Sequence, residues 1–210
     1  MLDANGVTRA LYGIAGSTTL GDPIASGVLS SACSKRLCLA KTDAAIISSG
    51  ESIDAPPGPA LFALDHDAAF VYFPQTKQLA RWHDGRLDPV DQNVAGEVLS
   101  IRESEGGVEF AVRRDDGTAI VRADNGVIDS LPDATGAVML LDRGRVLFST
   151  VDAVMLRRAD GSQIRFEIAG AEAFLALGEG YVQVRAGSST YAIRLEAGQE
   201  KMFLLPEAPQ

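Results

Sequence analysis

The sequence predicts an all-β chain folded as a β-propeller, five blades of four antiparallel strands, with six blades as the second choice. Three observations predict it. A glycine recurs just ahead of an apolar strand, at Gly27, Gly58, Gly96, Gly136 and Gly170, in steps of 31, 38, 40 and 34 residues. The head of the following strand recurs at Leu37, Phe70, Val108, Val146 and Tyr181, in steps of 33, 38, 38 and 35. A turn glycine after a third strand recurs at Gly50, Gly85, Gly126, Gly161 and Gly198, in steps of 35, 41, 35 and 37. Three anchors that share one period and one order define an internal repeat.

Taken in order, the chain opens on a run, Val7 to Ile14, that alternates well enough for a strand yet precedes the first anchor. The expectation is that residues 1–25 supply a lead-in loop and a strand that closes the ring, paired with unit five around "EKMFLLP". Such pairing would remove an open sheet edge. Residues 26–205 then hold five units of about 36 residues in a single domain, 1–210. Unit four shows the grammar most plainly, with "AVMLLD", "RVLFST", "AVMLRR" and "QIRFEI". The second and later strands alternate apolar and polar residues, the period of a pleated sheet. Asp-Gly and Asn-Gly pairs supply the positive φ that tight hairpins need, so consecutive strands pair antiparallel. No segment keeps a helical period over 11 residues.

A four-stranded meander cannot bury a face alone, whereas five of them stacked around an axis can. The alternative is a sandwich or solenoid of the same meanders, although sandwiches seldom keep one period across five units. Over roughly residues 26–205 the chain resembles the bacterial β-propeller repeat proteins of the TolB-like and YVTN-like group, in architecture and turn placement. The YVTN tetrapeptide, the Gly-His and Trp-Asp pairs of WD repeats and an aspartate box are all missing. The resemblance therefore implies a fold and no activity. The opening "LYGIAGSTTLGDP" is also similar to the lead-in of some uncharacterised bacterial propeller proteins.

Composition narrows the partners. A net charge of -9 and a pI near 4.7 argue against nucleic acid, because phosphate binding needs clustered Lys and Arg. An anionic membrane surface is disfavoured on the same ground. No apolar stretch reaches the roughly 18 to 20 residues of a membrane span, so no insertion is expected. The start lacks the charged head and apolar core of a signal peptide. Either the chain is cytoplasmic, or it is exported and its leader has been removed; the expectation is an extracytoplasmic, monomeric protein.

Few residues point to chemistry. "GSTTLG", residues 16–21, has the gap of a phosphate loop but lacks the Lys and Ser/Thr that would follow, and reads as a loop. Asp65, His66 and Asp67 share one turn and His83 and Asp84 another, at the same edge of unit two. They are weak metal or proton-shuttle candidates, since Asp and His beside Gly are common turn formers. Cys33 and Cys38 bracket a four-residue turn and would face each other across a hairpin at a separation a disulfide spans, a bond that matters in an oxidising compartment. Trp82, Tyr72, Phe73, Phe110, Phe148, Phe166, Phe174 and Tyr181 read as packing between blades rather than a ligand box.

Glu97 and Glu172 follow their anchor glycines closely, at the openings of the first strands of units three and five. The first strand of a propeller blade is innermost, so these carboxylates are expected at one mouth of the channel, facing across it. There they could share a cation or divide acid and base roles. No cofactor is expected. The functional expectation is a non-enzymatic binding or scaffold module presenting its faces to a protein or small polar partner. The alternative is a hydrolase or lyase acting on a carbohydrate or other small polar substrate at the central mouth.

Overall fold

A computed structural model of the chain describes residues 1–2, 6–14, 17–65, 67–122, 126–178 and 180–206, and among them it holds twenty-two strands and no helix. Blade 1 is β3 (Ser30–Cys33), β4 (Cys38–Lys41), β5 (Ala45–Ser48) and β6 (Glu51–Asp54), preceded by the hairpin β1 (Thr8–Ile14) and β2 (Ser17–Ala25). Blade 2 is β7 (Leu61–Asp65), β8 (Ala68–Phe73), β9 (Gln78–His83) and β10 (Arg86–Val90). Blade 3 is β11 (Val98–Ser104), β12 (Gly107–Arg114), β13 (Gly117–Arg122) and β14 (Gly126–Leu131). Blade 4 is β15 (Val138–Leu140), β16 (Val146–Ser149), β17 (Val154–Arg157) and β18 (Gln163–Phe166). Blade 5 is β19 (Ala171–Gly178), β20 (Tyr181–Ala186), β21 (Ser189–Arg194) and β22 (Lys201–Leu204).

Each blade is an antiparallel meander whose strands pair in sequence order. The first strands β3, β7, β11, β15 and β19 touch one another in turn, and β19 returns to β3, so they form the inner wall of a five-bladed β-propeller. The fourth strands lie at the rim; β14 leaves its first five residues exposed.

Apolar clusters fill the boundaries between consecutive blades. Leu39 and Ile46 of blade 1 meet Val71, Phe73 and Trp82 of blade 2. Tyr72 and Leu79 meet Ile101, Phe110 and Val121, with the Tyr72 and Phe110 rings edge to face at 6.0 Å. Ile120 and Leu131 meet Val138, Leu140 and Phe148, and Leu147, Leu156 and Phe166 meet Val182, Val184 and Ile193. The second strands β12 and β16 are buried on both faces over their central residues: Val146 and Phe148 of β16 pack toward blade 3, and Leu147 between them packs toward blade 5. Polar alternation is lost there because a middle strand is sandwiched between two neighbouring blades.

Tyr72, Phe73, Trp82, Phe110, Phe148 and Phe166 sit at these boundaries, Phe174 packs half-buried against one of them, and Tyr181 is half-buried outside the clusters. Two sequence expectations are corrected. β1 does not enter the sheet of blade 5: it pairs with β2, and β22 pairs with β21 alone. A partner a short turn away costs far less loop-closure entropy than one at the far end of the chain, and blade 5 supplies its own fourth strand. Consequently most of "GSTTLG" belongs to strand β2 rather than to a loop, with Gly16 outside the described residues.

Candidate functional site

All five inner strands run in the same sense, so their starts gather on one face of the ring and their ends on the other. Glu97 and Glu172 lie on the starting face. Arg113, on β12, donates from Nε to Glu97 Oε2 at 2.8 Å, and Arg185, on β20, stands 3.7 Å from Glu172 Oε2. The two carboxylates are 64% and 58% exposed. Each acid thus pairs along its own blade with an arginine of the second strand, in solvent.

The opposite face carries a different acidic pair, which sequence reasoning separated. Asp65 ends β7 and Glu103 lies one residue before the end of β11, on adjacent blades. Burial pushes the Glu103 carboxyl up; the Asp65 charge adds to that, and Arg81 opposes it. Arg81 itself stacks over the Phe70 ring at 5.6 Å. A carboxyl with a raised pKa beside a second carboxylate can hold a proton or accept a cationic group. Glu103 escaped notice because it reads as an ordinary solvent-facing position in "IRESEGG"; only the register of two blades brings it toward Asp65.

His66 lies outside the described residues. His83 ends β9 with Nδ1 3.4 Å from Asp88 Oδ2 and without a hydrogen bond. Asp84 takes the left-handed conformation, φ 46°, in the turn to β10, which accounts for its position. Among the described residues no three His, Cys, Asp or Glu side chains are grouped to hold a metal. Cys33 and Cys38 are directly opposed across β3 and β4 and joined by a disulfide.

Beside the end face runs a chain of buried charge. Glu109, on β12, is 5% exposed and accepts from Arg102 Nε at 3.0 Å and Arg122 Nη2 at 2.7 Å. Arg102 also donates to the Leu141 and Arg145 carbonyls of blade 4, and Arg145 donates to the Leu195 carbonyl of blade 5. Burial opposes ionisation of Glu109, yet the hydrogen bonds from Arg102 and Arg122 more than offset it and hold the carboxyl below the ordinary range. A single Glu inside the apolar run "VEFAV" was the available signal. Two solvent clefts lie at the rim. One, about 430 Å³, runs from Asp54 to Pro89 and Asn93; the other, about 460 Å³, lies between Asp133, Met155 and Arg165.

No family model and no curated protein matches the chain. Solved structures match its fold. One is a chain of a nidogen/laminin complex: TM-score 0.55, 13% identity, 93% of this chain and 92% of that chain covered. Another is a catalytically inactive virginiamycin B lyase from Staphylococcus aureus with quinupristin: TM-score 0.52, 11% identity, 96% and 75% covered. PorZ, an essential surface component of the type-IX secretion system of Porphyromonas gingivalis, matches at TM-score 0.44 and 8% identity over 84% of this chain. The chain spans only 28% of the length of PorZ. At these identities the two likenesses with TM-scores above 0.5 show the β-propeller fold alone and nothing about what is bound. The resemblance to bacterial propeller repeat proteins, made at the level of architecture, holds.

Proposed function

We propose that the protein is a non-enzymatic binding module, monomeric and extracytoplasmic, that presents the face at the ends of its inner strands to a basic peptide or other polar partner. One observation carries this reading: on the end face Asp65 and Glu103 of adjacent blades stand close enough for the charge of the first to raise the carboxyl of the second. A chain of net charge -9 with such a mouth favours a cationic group. Titration calorimetry with an oligolysine peptide tests it. Binding that weakens with salt and is lost in the Asp65→Asn/Glu103→Gln double variant is expected. Salt-independent binding, or binding unchanged in that variant, overturns it.

A second reading, a hydrolase or lyase acting on a carbohydrate or other small polar substrate, is favoured by the raised Glu103 carboxyl, since opposed protonation states are what paired acid and base roles need. On that reading Glu97 and Glu172 remain the candidates for the other mouth. Chromogenic glycosides separate the two: turnover abolished by Glu103→Gln, or by Glu97→Gln with Glu172→Gln, establishes the enzyme.

A further inference from the structure

We infer that the Cys33–Cys38 disulfide is a thiol-exchange site, open to attack by an incoming dithiol while the propeller stays folded. Three features converge on it. The bond is reachable, since Cys38 is exposed and Cys33 is half-buried. The hairpin it spans is held without it. Ser34 N–H donates to the Leu37 carbonyl at 2.7 Å, and the Leu37 and Arg36 N–H groups donate to Ser34 Oγ at 3.0 and 3.2 Å. Ala32, Leu37 and Leu39, buried on either side, anchor both strands by packing. The turn also carries two exposed cations, Lys35 and Arg36, the second standing 3.6 Å from Asp67 Oδ2 of blade 2, in a chain whose net charge is negative.

Those cations bear on both halves of the exchange. The attacking species is a thiolate, and the displaced sulfur leaves as a thiolate; neighbouring positive charge draws in the first and lowers the pKa of the second. In the first step a thiolate of the dithiol attacks the Cys38 sulfur, a mixed disulfide forms, and Cys33 leaves as a thiolate. In the second step the other thiol of the reagent, as its thiolate, displaces Cys38. Cys33 and Cys38 together gain two electrons and two protons, and the dithiol is oxidised to its own disulfide. A bond buried in the core, or the sole clasp of its hairpin, could not cycle in this way without unfolding the chain.

The probe is dithiothreitol acting on the oxidised full chain without denaturant, with free thiols trapped by a maleimide and counted by mass. Two labels per chain are expected, with the circular dichroism and a cooperative melt retained. Lys35→Ala/Arg36→Ala should slow reduction roughly threefold, a modest rise in leaving-thiol pKa being passed on in part to the rate. The Cys33→Ser/Cys38→Ser variant should fold and take no label, which shows that the hairpin stands alone. Labelling that appears only in denaturant, loss of the fold on reduction, or an unchanged rate in the double alanine variant each overturns the inference.

Discussion

At the scale of single residues, the most consequential side chain is one that no motif marks. Glu109 sits in the apolar strand β12, and its two arginines reach it from β11 and β13 on either side. Removing one member of such a group leaves buried opposite charge without compensation, which costs about 3 kcal/mol. Glu109→Gln should therefore lower stability by about that much in urea denaturation at neutral pH. The sign with pH follows from the depressed carboxyl. The folded state holds its proton less tightly than the unfolded chain, so the stabilisation is present above the ordinary value of 4.5 and is lost as pH falls through the lowered value. The gap between native protein and variant should narrow below about pH 4; a gap that stays constant with pH would refute the charge assignment. Glu103 runs the other way, because its raised carboxyl favours the folded state progressively as the pH is lowered toward the ordinary range.

At the scale of elements, the glycine anchors were legible in the sequence while the physics behind them was not uniform. All five turn glycines before the fourth strands have φ between 69° and 85°. At Gly161 an added Cβ meets nothing within 4 Å, so the backbone conformation alone demands glycine there. Gly136, an anchor of the other kind, has no positive φ; its Cβ would stand 2.6 Å from Ser149 Oγ, a space constraint instead. Gly161→Ala should cost about 1 kcal/mol, a fall of roughly 2 to 4 °C in melting temperature. Gly136→Ala should cost a similar amount, and Ser149→Ala should rescue the second variant but not the first. Equal response of both to Ser149→Ala would show that one cause serves both anchors. The hairpin β1–β2 was missed for a related reason. Pro23 and Gly21 punctuate the sequence as a loop, yet β2 belongs to a two-stranded ribbon in which every strand is an edge and proline is tolerated. The hydroxyls that tie neighbouring blades were equally silent: Ser30 Oγ accepts from Ala60 N–H at 2.9 Å and Ser100 Oγ from Leu140 N–H at 3.0 Å, and a lone Ser in a strand looks like ordinary alternation.

At the scale of the whole molecule, the ring must close between two blades that are not consecutive in sequence. Apolar clusters fill the four boundaries between consecutive blades, and among the described residues blades 5 and 1 share none. There the inner strands β19 and β3 touch directly, and Leu2 and Gly6 of the N-terminal segment each hydrogen-bond to one of the two blades. Gln183, on β20 and 4% exposed, turns its amide to Leu2, donating to its carbonyl at 2.7 Å and accepting from its N–H at 3.1 Å. The Gly6 carbonyl accepts from Val28 N–H of blade 1 at 3.0 Å. The residues that reach across the closing seam, Leu2 and Gly6, precede the run Val7 to Ile14 expected to close the ring as a strand, and they act through a side-chain amide and a backbone carbonyl. Polar contacts of this kind contribute about 1 kcal/mol each and leave unpaired groups behind when broken. Gln183→Ala should thus cost about 2 kcal/mol, and the loss should be local. Amide exchange reports local opening. Protection should drop along β3, β19 and β20 in the variant and stay unchanged in β11, β12 and β13, which are closed on both sides by apolar clusters. If protection falls equally in every blade, the propeller opens as one unit and blades 5 and 1 are joined no more weakly than the rest.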